Sequence, residues 1–208
     1  MDERRLIVIK VELKKRLGGF FLDAELSDEN YICLTGKNGS GKTTLLNLIG
    51  GILSPDDGYV MLNSKQITSL PIEQRHVSIV TPDSCIPHLD VDQHLVWGAK
   101  NKRLNIESEY VTEIKTGLGI NFSGKVNKLS LGMREKLSVA TSLISKPELM
   151  LIDEAFSNID NHEDFIATFR NLAAKAEIDV IFTTQYPDDS TQADHHYRLE
   201  SGKSTRLF

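Results

Sequence analysis

The residues best suited to chemistry in this 208-residue sequence lie together in a glycine-rich stretch that ends in Lys42 and Thr43. The stretch matches the pattern G-x-x-x-x-G-K-[ST], in which glycines let successive backbone N–H groups point at one anion. Lys42 can then bridge the β- and γ-phosphates of a triphosphate, and the Thr43 hydroxyl can complete the coordination of Mg²⁺. The predicted phosphate-binding loop consists of Gly36, Lys37, Asn38, Gly39, Ser40, Gly41, Lys42, Thr43 and Thr44.

The surroundings of this loop favour the same interpretation. Residues 31–35 form a short apolar run typical of a strand, and residues 44–49 carry leucines at helical spacing. A strand entering the loop and a helix leaving it are the context that the pattern needs, because the positive end of the helix then faces the phosphates.

A second set of reactive residues follows an apolar run over residues 149–152, which is typical of a strand buried on both faces of a parallel sheet. The run ends in Asp153 and Glu154. Asp153 is suited to the Mg²⁺ shell, and Glu154 to accepting a proton from a water aligned on the γ-phosphorus. An acidic helix cap would explain one carboxylate but not the pair. The sequence therefore predicts hydrolysis of a nucleoside triphosphate.

Composition disfavours several other classes of protein. The 24 Lys and Arg residues against 29 Asp and Glu residues give a formal net charge of −5, so nucleic acid is not expected as a partner. The apolar run at residues 6–9 is too short for a signal peptide or a membrane span. Cys33 and Cys85 lack metal-binding spacing and fit a reducing, intracellular setting. The adjacent His195 and His196 are expected at the surface, because no further ligand shares their spacing.

Hydrophobic periodicity organises the rest of the chain. Further strands are predicted at residues 6–13, 20–26, 59–62, 77–80, 180–183 and 196–199. Further helices are predicted at residues 91–99, 107–118, 130–144 and 161–175. One apolar face of the helix at 130–144 is expected in the core, and Glu135 falls mostly off that face. These elements predict an α/β fold: a P-loop NTPase core with a mostly parallel sheet, an N-terminal antiparallel β subdomain and an inserted helical subdomain.

The order of the motifs resembles the nucleotide-binding subunits of ATP-binding cassette (ABC) transporters over nearly the whole chain. The family's signature motif, L-S-G-G-Q before a helix, is matched by Leu129-Ser130-Leu131-Gly132-Met133. Residues 155–160 are similar to the family's D-loop, with Asp160 as its aspartate. The resemblance implies that two cassettes pack head to tail, so that Ser130 and the backbone of Gly132 of one chain close over ATP held by Lys42 of the other.

The same resemblance implies an ATPase that powers transmembrane transport through closure of a cassette dimer, with an identical or a different second cassette. It implies one ABC ATPase domain over residues 1–208, with the core in about 1–88 and 146–208 and the helical subdomain in about 89–145. The helical subdomain is expected to engage transmembrane permease subunits. The protein is therefore expected at the cytoplasmic face of the cell membrane, held there by its partners and with no direct insertion.

Several positions depart from the family's pattern. In the signature, Leu131 replaces a glycine, while Ser130 and Gly132, the residues expected to touch phosphate, are kept. The Q-loop glutamine is replaced by Asp83, whose carboxylate can touch Mg²⁺ but repels a bare γ-phosphate. The switch histidine is replaced by Gln185, which can donate an N–H to the γ-phosphate but cannot become a cation. The aromatic residue that stacks on adenine aligns with Leu17, and Phe20 is close enough to substitute for it. The resemblance thus implies roles in slow catalysis for Glu154, Gln185 and Asp83.

The direction of transport stays open at the level of sequence. Residues 11–18, 67–71, 87–91 and 154–157 look like importer ATPases for molybdate, tungstate and related oxyanions, although the C-terminal regulatory domain that many of those carry is not expected here. The signature sequence and Asp83 are instead similar to ATPases of bacitracin resistance and drug efflux. Import is favoured over efflux.

Two alternative hypotheses assign the chain to other functional classes. One is a nucleotide-responsive module that closes on ATP but barely hydrolyses it, and the other is an ABC protein of translation or DNA repair. The substitutions Asp83 and Gln185 favour the first of these, whereas intact Lys42, Asp153 and Glu154 argue against it. Proteins of translation and repair usually carry tandem cassettes or long coiled coils, and this sequence has one cassette and no sustained heptads.

Overall fold

A computed structural model describes residues 9–208, so the first three residues of the strand predicted at 6–13 lie outside the described residues. The strands of this part of the chain are β1 (Ile9–Leu17), β2 (Phe20–Asp28), β3 (Tyr31–Thr35), β4 (Asp57–Leu62), β5 (Lys65–Gln66), β6 (Val77–Val80), β7 (Leu149–Asp153), β8 (Asp179–Thr184), β9 (His195–Glu200) and β10 (Lys203–Arg206). Its helices are α1 (Lys42–Gly50), α2 (Val91–Leu95), α3 (Trp97–Asn101), α4 (Ser108–Gly117), α5 (Leu131–Ile144) and α6 (His162–Lys175).

The chain divides into two compact units, of which the first comprises residues 9–77 and Asp179–Phe208. Its strands lie in the order β5-β4-β1-β2-β10-β9-β3-β8. Strand β1 pairs antiparallel with β2, because the two-residue turn at Gly18-Gly19 folds β2 back along β1. It also pairs antiparallel with β4 on its other side. Strand β3 pairs parallel with β8 and β9. The predicted combination of a parallel core and an N-terminal antiparallel portion is confirmed.

Burial follows these two kinds of pairing. In β1, buried residues alternate with exposed ones from Ile9 to Leu13, as expected of a strand with one face in the core. Strand β8 is buried over its whole length, and β3 over four of its five residues. Strand β10 was not predicted from the sequence, because its four residues, Lys-Ser-Thr-Arg, carry no apolar alternation.

The second unit, Ser78–Ile178, holds the helices α2 to α6, and in it β6 and β7 are neighbouring strands. Helix α5 packs against α2, α3 and α4. The helix predicted at residues 91–99 is broken in two at Val96, whose φ of −97° and ψ of 1° leave helical geometry. The division into a core and a helical subdomain at residues 89 and 145 stays a proposal. In the described part of the chain, no helix is long and apolar enough to cross a membrane.

Candidate functional site

The predicted phosphate-binding loop leads directly into α1. Gly41 is the N-cap residue, with φ 108°, and among the described residues no side chain caps the helix at this end. Within the loop the Ser40 amide donates to the Lys37 carbonyl oxygen over 3.0 Å, which closes a tight turn. The Lys42 ammonium folds back and donates to the Gly36 carbonyl oxygen over 2.8 Å. The backbone N–H groups of the first helical turn are therefore not occupied by a side-chain cap.

The Ser40 hydroxyl points to a ligand that fits this loop. The residue is only 6% exposed, yet its Oγ has no hydrogen-bond partner among the described residues. A buried hydroxyl without a partner costs free energy, which a polar ligand in the loop would recover. The first turn of α1 also carries no acidic side chain. A polyphosphate supplies the acceptor oxygens and the negative charge that suit such a helix terminus.

Strand β9 and the turn after it support the loop from behind, a feature that sequence reasoning missed. A β-carbon at Gly36 would overlap the Leu199 carbonyl oxygen, so only glycine allows the two backbones to come this close. The Gly202 amide donates to the Ser40 carbonyl oxygen over 3.1 Å. The only sequence signal for this support is the Ser201-Gly202 turn.

His196 is a correction to the sequence analysis, which placed both adjacent histidines at the surface. It is 7% exposed, and its Nε2 lies 2.7 Å from the Oγ1 of Thr35, the residue before the loop. Burial, together with the positive charge of Arg198, lowers the pKa of His196. Along β9, His195 is partly exposed, whereas His196 and the following Tyr197 are both buried.

The opposite end of α1 is held by a buried arginine. Arg75 is 5% exposed, and its Nη1 donates to the carbonyl oxygens of Leu48 and Ile49 over 3.4 and 3.1 Å. Its other nitrogens donate to the carbonyl oxygens of Leu70 and Thr68. The guanidinium therefore adds a donor to carbonyl groups of the last helical turn, where the Leu48 carbonyl oxygen also accepts from the Gly51 amide, and it lies at the negative end of the helix dipole.

The segment after β8 lies at the same edge of the sheet as the loop. Thr35 and Thr184 are paired in the parallel register, so the residues that follow them, Gly36 and Gln185, leave neighbouring strands side by side. Gln185 is exposed. Thr184 donates to the buried carboxylate of Asp189 over 2.6 Å, which orders the start of this segment. The structure therefore brings Gln185 to the phosphate-binding loop.

The two residues predicted to stack on a base lie in the β1–β2 hairpin and pair with each other. Leu17 is 40% exposed. The end of the Phe20 ring would lie 2.8 Å from a β-carbon at Gly41, so Phe20 packs against the last glycine of the loop. Of the two, Phe20 is therefore the one that touches the loop itself.

The predicted acidic pair lies in the second unit, at the end of β7. Asp153 is the last residue of the strand, and both carboxylates are partly exposed. Glu154 has a left-handed backbone with φ 54°, which is uncommon for a residue other than glycine. Its carbonyl oxygen accepts a hydrogen bond from the Ser157 hydroxyl over 3.0 Å, which stabilises the turn. Strand β7 therefore ends at the acidic pair, because the left-handed backbone of Glu154 does not continue a strand.

The signature and D-loop residues line one cavity of about 200 Å³ in the second unit. Ser130 is the N-cap of α5, and its Oγ accepts a hydrogen bond from the Met133 amide over 3.2 Å. The cavity is lined by Gly119, Asn121, Phe122, Ser130, Gly132, Met133, Lys136, Asn158, Ile159 and Asp160. The structure thus brings together Ser130, Gly132 and Asp160, which the sequence analysis had assigned from separate motifs.

Asp83 lies in the same unit, in an exposed turn after β6. The turn is closed by the Ser84 hydroxyl, which accepts from the Thr81 amide over 2.8 Å. It is tied to α5 because the Ser138 hydroxyl donates to the Ser84 carbonyl oxygen over 3.1 Å. The loop that carries Asp83 is therefore anchored to the helix that begins at the signature.

In the described part of the chain, no three His, Cys, Asp or Glu residues converge as a metal site. Magnesium usually keeps several waters and takes only one or two protein carboxylates together with substrate phosphates. The Thr43 hydroxyl and the Asp153 carboxylate are oxygen donors of the kind that Mg²⁺ accepts. In chemical type, the Thr43 hydroxyl of the first unit and the Asp153 carboxylate of the second each fit a cation that arrives with a nucleotide.

Comparisons with known proteins relate the whole arrangement to one family. A family profile described as "ABC transporter" matches residues 22–157. The molybdate/tungstate import ATP-binding protein WtpC of Archaeoglobus fulgidus is 37% identical over 156 residues, which cover 73% of this chain and 65% of that protein. The molybdenum import ATP-binding protein ModC of Pasteurella multocida is 29% identical over 210 residues, covering 94% of this chain and 59% of that protein. The chain thus spans less than two thirds of the length of these curated relatives.

Solved structures agree on the fold. A bacterial Atm1-family ABC exporter with ATP bound superposes with a TM-score of 0.81 at 18% identity, over 95% of this chain and 37% of that one. The ADP conformation of MJ1267, an ATP-binding cassette of an ABC transporter, gives a TM-score of 0.77 at 23% identity, over 96% of this chain and 89% of that one. The predicted P-loop NTPase fold is confirmed. Because the family profile covers more than half of a chain that also has this fold, the protein belongs to the ABC transporter family.

Proposed function

We propose that this chain is the ATP-binding and ATP-hydrolysing subunit of an ABC importer. The observation that carries the proposal is the end of α1: a helix N-terminus without a side-chain cap, preceded by the buried, unpartnered hydroxyl of Ser40. Lys42 then binds the β- and γ-phosphates of ATP, and the loop amides bind the oxygens around them. Adenine stacks on Phe20 or lies against Leu17.

We assign hydrolysis to Glu154 and Gln185, the residues that directly follow β7 and β8. Glu154 accepts the proton of the attacking water, and Gln185 donates a hydrogen bond to the γ-phosphate. Thr43 and Asp153, with Asp83 as a further carboxylate, would hold Mg²⁺, which would neutralise the charge on the phosphates. Gln185 stays neutral where a histidine can become a cation, so turnover is expected to be slow.

We infer the assembly of the transporter from the family to which the chain belongs. Two cassettes, identical or different, close head to tail, with Ser130, Gly132 and Asp160 of one chain facing the nucleotide of the other. Transmembrane permease subunits bind the helical subdomain and hold the protein at the cytoplasmic face of the membrane. The relatives whose names specify import of molybdate, tungstate or molybdenum favour a tetrahedral oxyanion as the transported solute.

Steady-state ATP hydrolysis over a range of protein concentrations tests the enzymatic part of the proposal. Wild-type turnover should rise more than linearly with concentration, because the active unit is a dimer. Glu154→Gln should lose most turnover and form a dimer in ATP, detected by light scattering, while the exposed control Glu73→Gln behaves as wild type. A Glu154→Gln protein that hydrolyses ATP at the wild-type rate would rule out Glu154 as the base.

The solute class needs a separate measurement. In cells whose only copy of this chain carries Lys42→Ala, uptake of molybdate and tungstate should fall while sulfate uptake stays constant. Elemental analysis of washed cells measures all three. Unchanged accumulation of both metals would exclude this solute class and leave the ATPase assignment to be judged by the hydrolysis assay.

A further inference from the structure

Glu135 is buried where the sequence analysis placed it off the core face of α5. The residue is 0% exposed, in a helix whose apolar positions alone were expected to be covered. A buried carboxylate is costly unless its oxygens are hydrogen-bonded. The residues that donate to the Glu135 carboxylate therefore indicate the role of this side chain.

Both carboxylate oxygens of Glu135 are bound by one residue. The backbone amide of Asn158 donates to Oε2 over 3.0 Å, and the side-chain Nδ2 of Asn158 donates to Oε1 over 2.7 Å. Two parallel hydrogen bonds to a charged acceptor fix the orientation as well as the position of the donor. This two-point contact links α5 to the loop that follows Glu154.

The same loop is held at three further points. A β-carbon at Gly132 would overlap the Asn158 carbonyl oxygen, so the first turn of α5 lies directly against the loop backbone. Phe156 and Ile159 are buried on either side of Asn158. Asp160, which follows, is exposed and lines the cavity that Ser130 and Gly132 also line. Asp160 follows Asn158 by two residues. The contacts that hold Asn158 therefore also set the position of Asp160.

We propose that Glu135 is a positioning residue, which through Asn158 holds Asp160 and the signature residues in one fixed arrangement. The inference rests on the proposed function, in which Ser130, Gly132 and Asp160 face the nucleotide of a second cassette. Glu135 does not touch that nucleotide. Its effect is to make the first turn of α5 and the D-loop move as one body.

Removing the carboxylate and replacing it by an amide have different consequences. In Glu135→Ala both donors of Asn158 lose their acceptor, while the loop keeps its packing against Gly132 and through the buried Phe156 and Ile159. In Glu135→Gln the amide oxygen still accepts from the Asn158 backbone, and the new N–H₂ group donates to the Asn158 side-chain oxygen once that amide has turned over. The glutamine variant is therefore the conservative rescue, and Glu109→Gln on the exposed face of α4 is the matched control.

Amide hydrogen exchange of the nucleotide-free protein tests the contact itself. Exchange at the Asn158 backbone amide should be about tenfold faster in Glu135→Ala, because the amide loses the acceptor that protects it. Glu135→Gln and Glu109→Gln should exchange at the wild-type rate, as should the phosphate-binding loop in every variant. Unchanged exchange at Asn158 in Glu135→Ala would overturn the proposal without reference to any activity.

Steady-state kinetics test its consequence. We expect kcat for ATP to fall about tenfold in Glu135→Ala with KM changed less than about twofold, and to stay near wild type in Glu135→Gln. Asp160→Ala should lower kcat as well, and adding Glu135→Ala to it should have little further effect, because both act at one point. Fully additive losses would mean that Glu135 acts elsewhere and would overturn the proposal.

Asn158→Ala is the second variant if Glu135→Ala does not fold. Asn158 is exposed, so its truncation leaves the core intact and removes one of the two donors. It should lower kcat in the same direction by a smaller factor. Faster exchange with an unchanged kcat would overturn the positioning role of Glu135. An inactive wild-type chain with normal exchange at Asn158 would instead count against the proposed function and not against the contact between Glu135 and Asn158.

Discussion

The two helices whose N-termini carry the predicted nucleotide contacts differ in how those N-termini are held. Helix α1 is fixed at its C-terminus by Arg75, and its N-terminus begins at a glycine without a side-chain cap. Helix α5 is fixed at its N-terminus, where Ser130 caps the helix and Gly132 lies against Asn158. The C-terminus of α5 is bound as well, since the Tyr110 hydroxyl donates to the Leu143 carbonyl oxygen. The difference between the two helices therefore lies at the N-terminus, where α1 begins without a side-chain cap.

This difference bears on how each end meets phosphate. The first turn of α1 can receive an anion with little rearrangement, because no side-chain cap has to be displaced. At α5, the hydroxyl of Ser130 is already the acceptor for the Met133 amide. Its proton remains available to donate to a phosphate oxygen, so the signature can bind a second cassette's nucleotide without losing its own cap.

The largest expected effect comes from releasing the C-terminus of α1. Arg75→Met should lower the free energy of unfolding by about 3–5 kcal/mol, because several buried carbonyl groups lose their donor at once. Urea unfolding measures the loss, with the exposed Arg198→Met as control. A variant as stable as wild type would show that the helix is not held at this end.

An intermediate effect is expected at the N-terminus of α1. Lys42→Ala should weaken ATP binding about 100-fold, since a charge-assisted contact to phosphate is lost, while the nucleotide-free protein unfolds within about 1 kcal/mol of wild type. Equilibrium titration with ATP gives the affinity, and the exposed Lys65→Ala is the control. Unchanged affinity would contradict the assignment of this end as the ligand site.

The smallest effect is expected at the N-terminus of α5. Ser130→Ala should destabilise the nucleotide-free protein by about 1 kcal/mol, and Ser130→Gly by only a few tenths, because glycine is tolerated at an N-cap and alanine is not. The midpoint of urea unfolding distinguishes the two variants. Equal stability of Ser130→Ala and wild type would remove the contrast between the helices, since α5 would then not be held by its cap.

Much of the candidate site was predictable because its chemistry is local. The turn from Gly36 to Lys42 and the acidic end of β7 are each encoded within a few consecutive residues, and the structure has strand, loop and helix where they were predicted. His196 and Glu135 were misplaced for a common reason. A polar residue is buried where a distant partner satisfies it, and the partners, Thr35 and Asn158, are far away in sequence.

The family, the order of the motifs and the residue types that meet phosphate could be predicted without a structure, because they depend on spacing along the chain. The folded chain was needed to see that Arg75 binds the C-terminal carbonyl groups of α1, that Gly202 and Leu199 contact the loop, and that Glu135 binds Asn158. Each of these contacts joins segments separated by many residues. Periodicity indicates which face of a strand or helix is apolar, but a contact between distant segments depends on how the elements pack, which no local pattern contains.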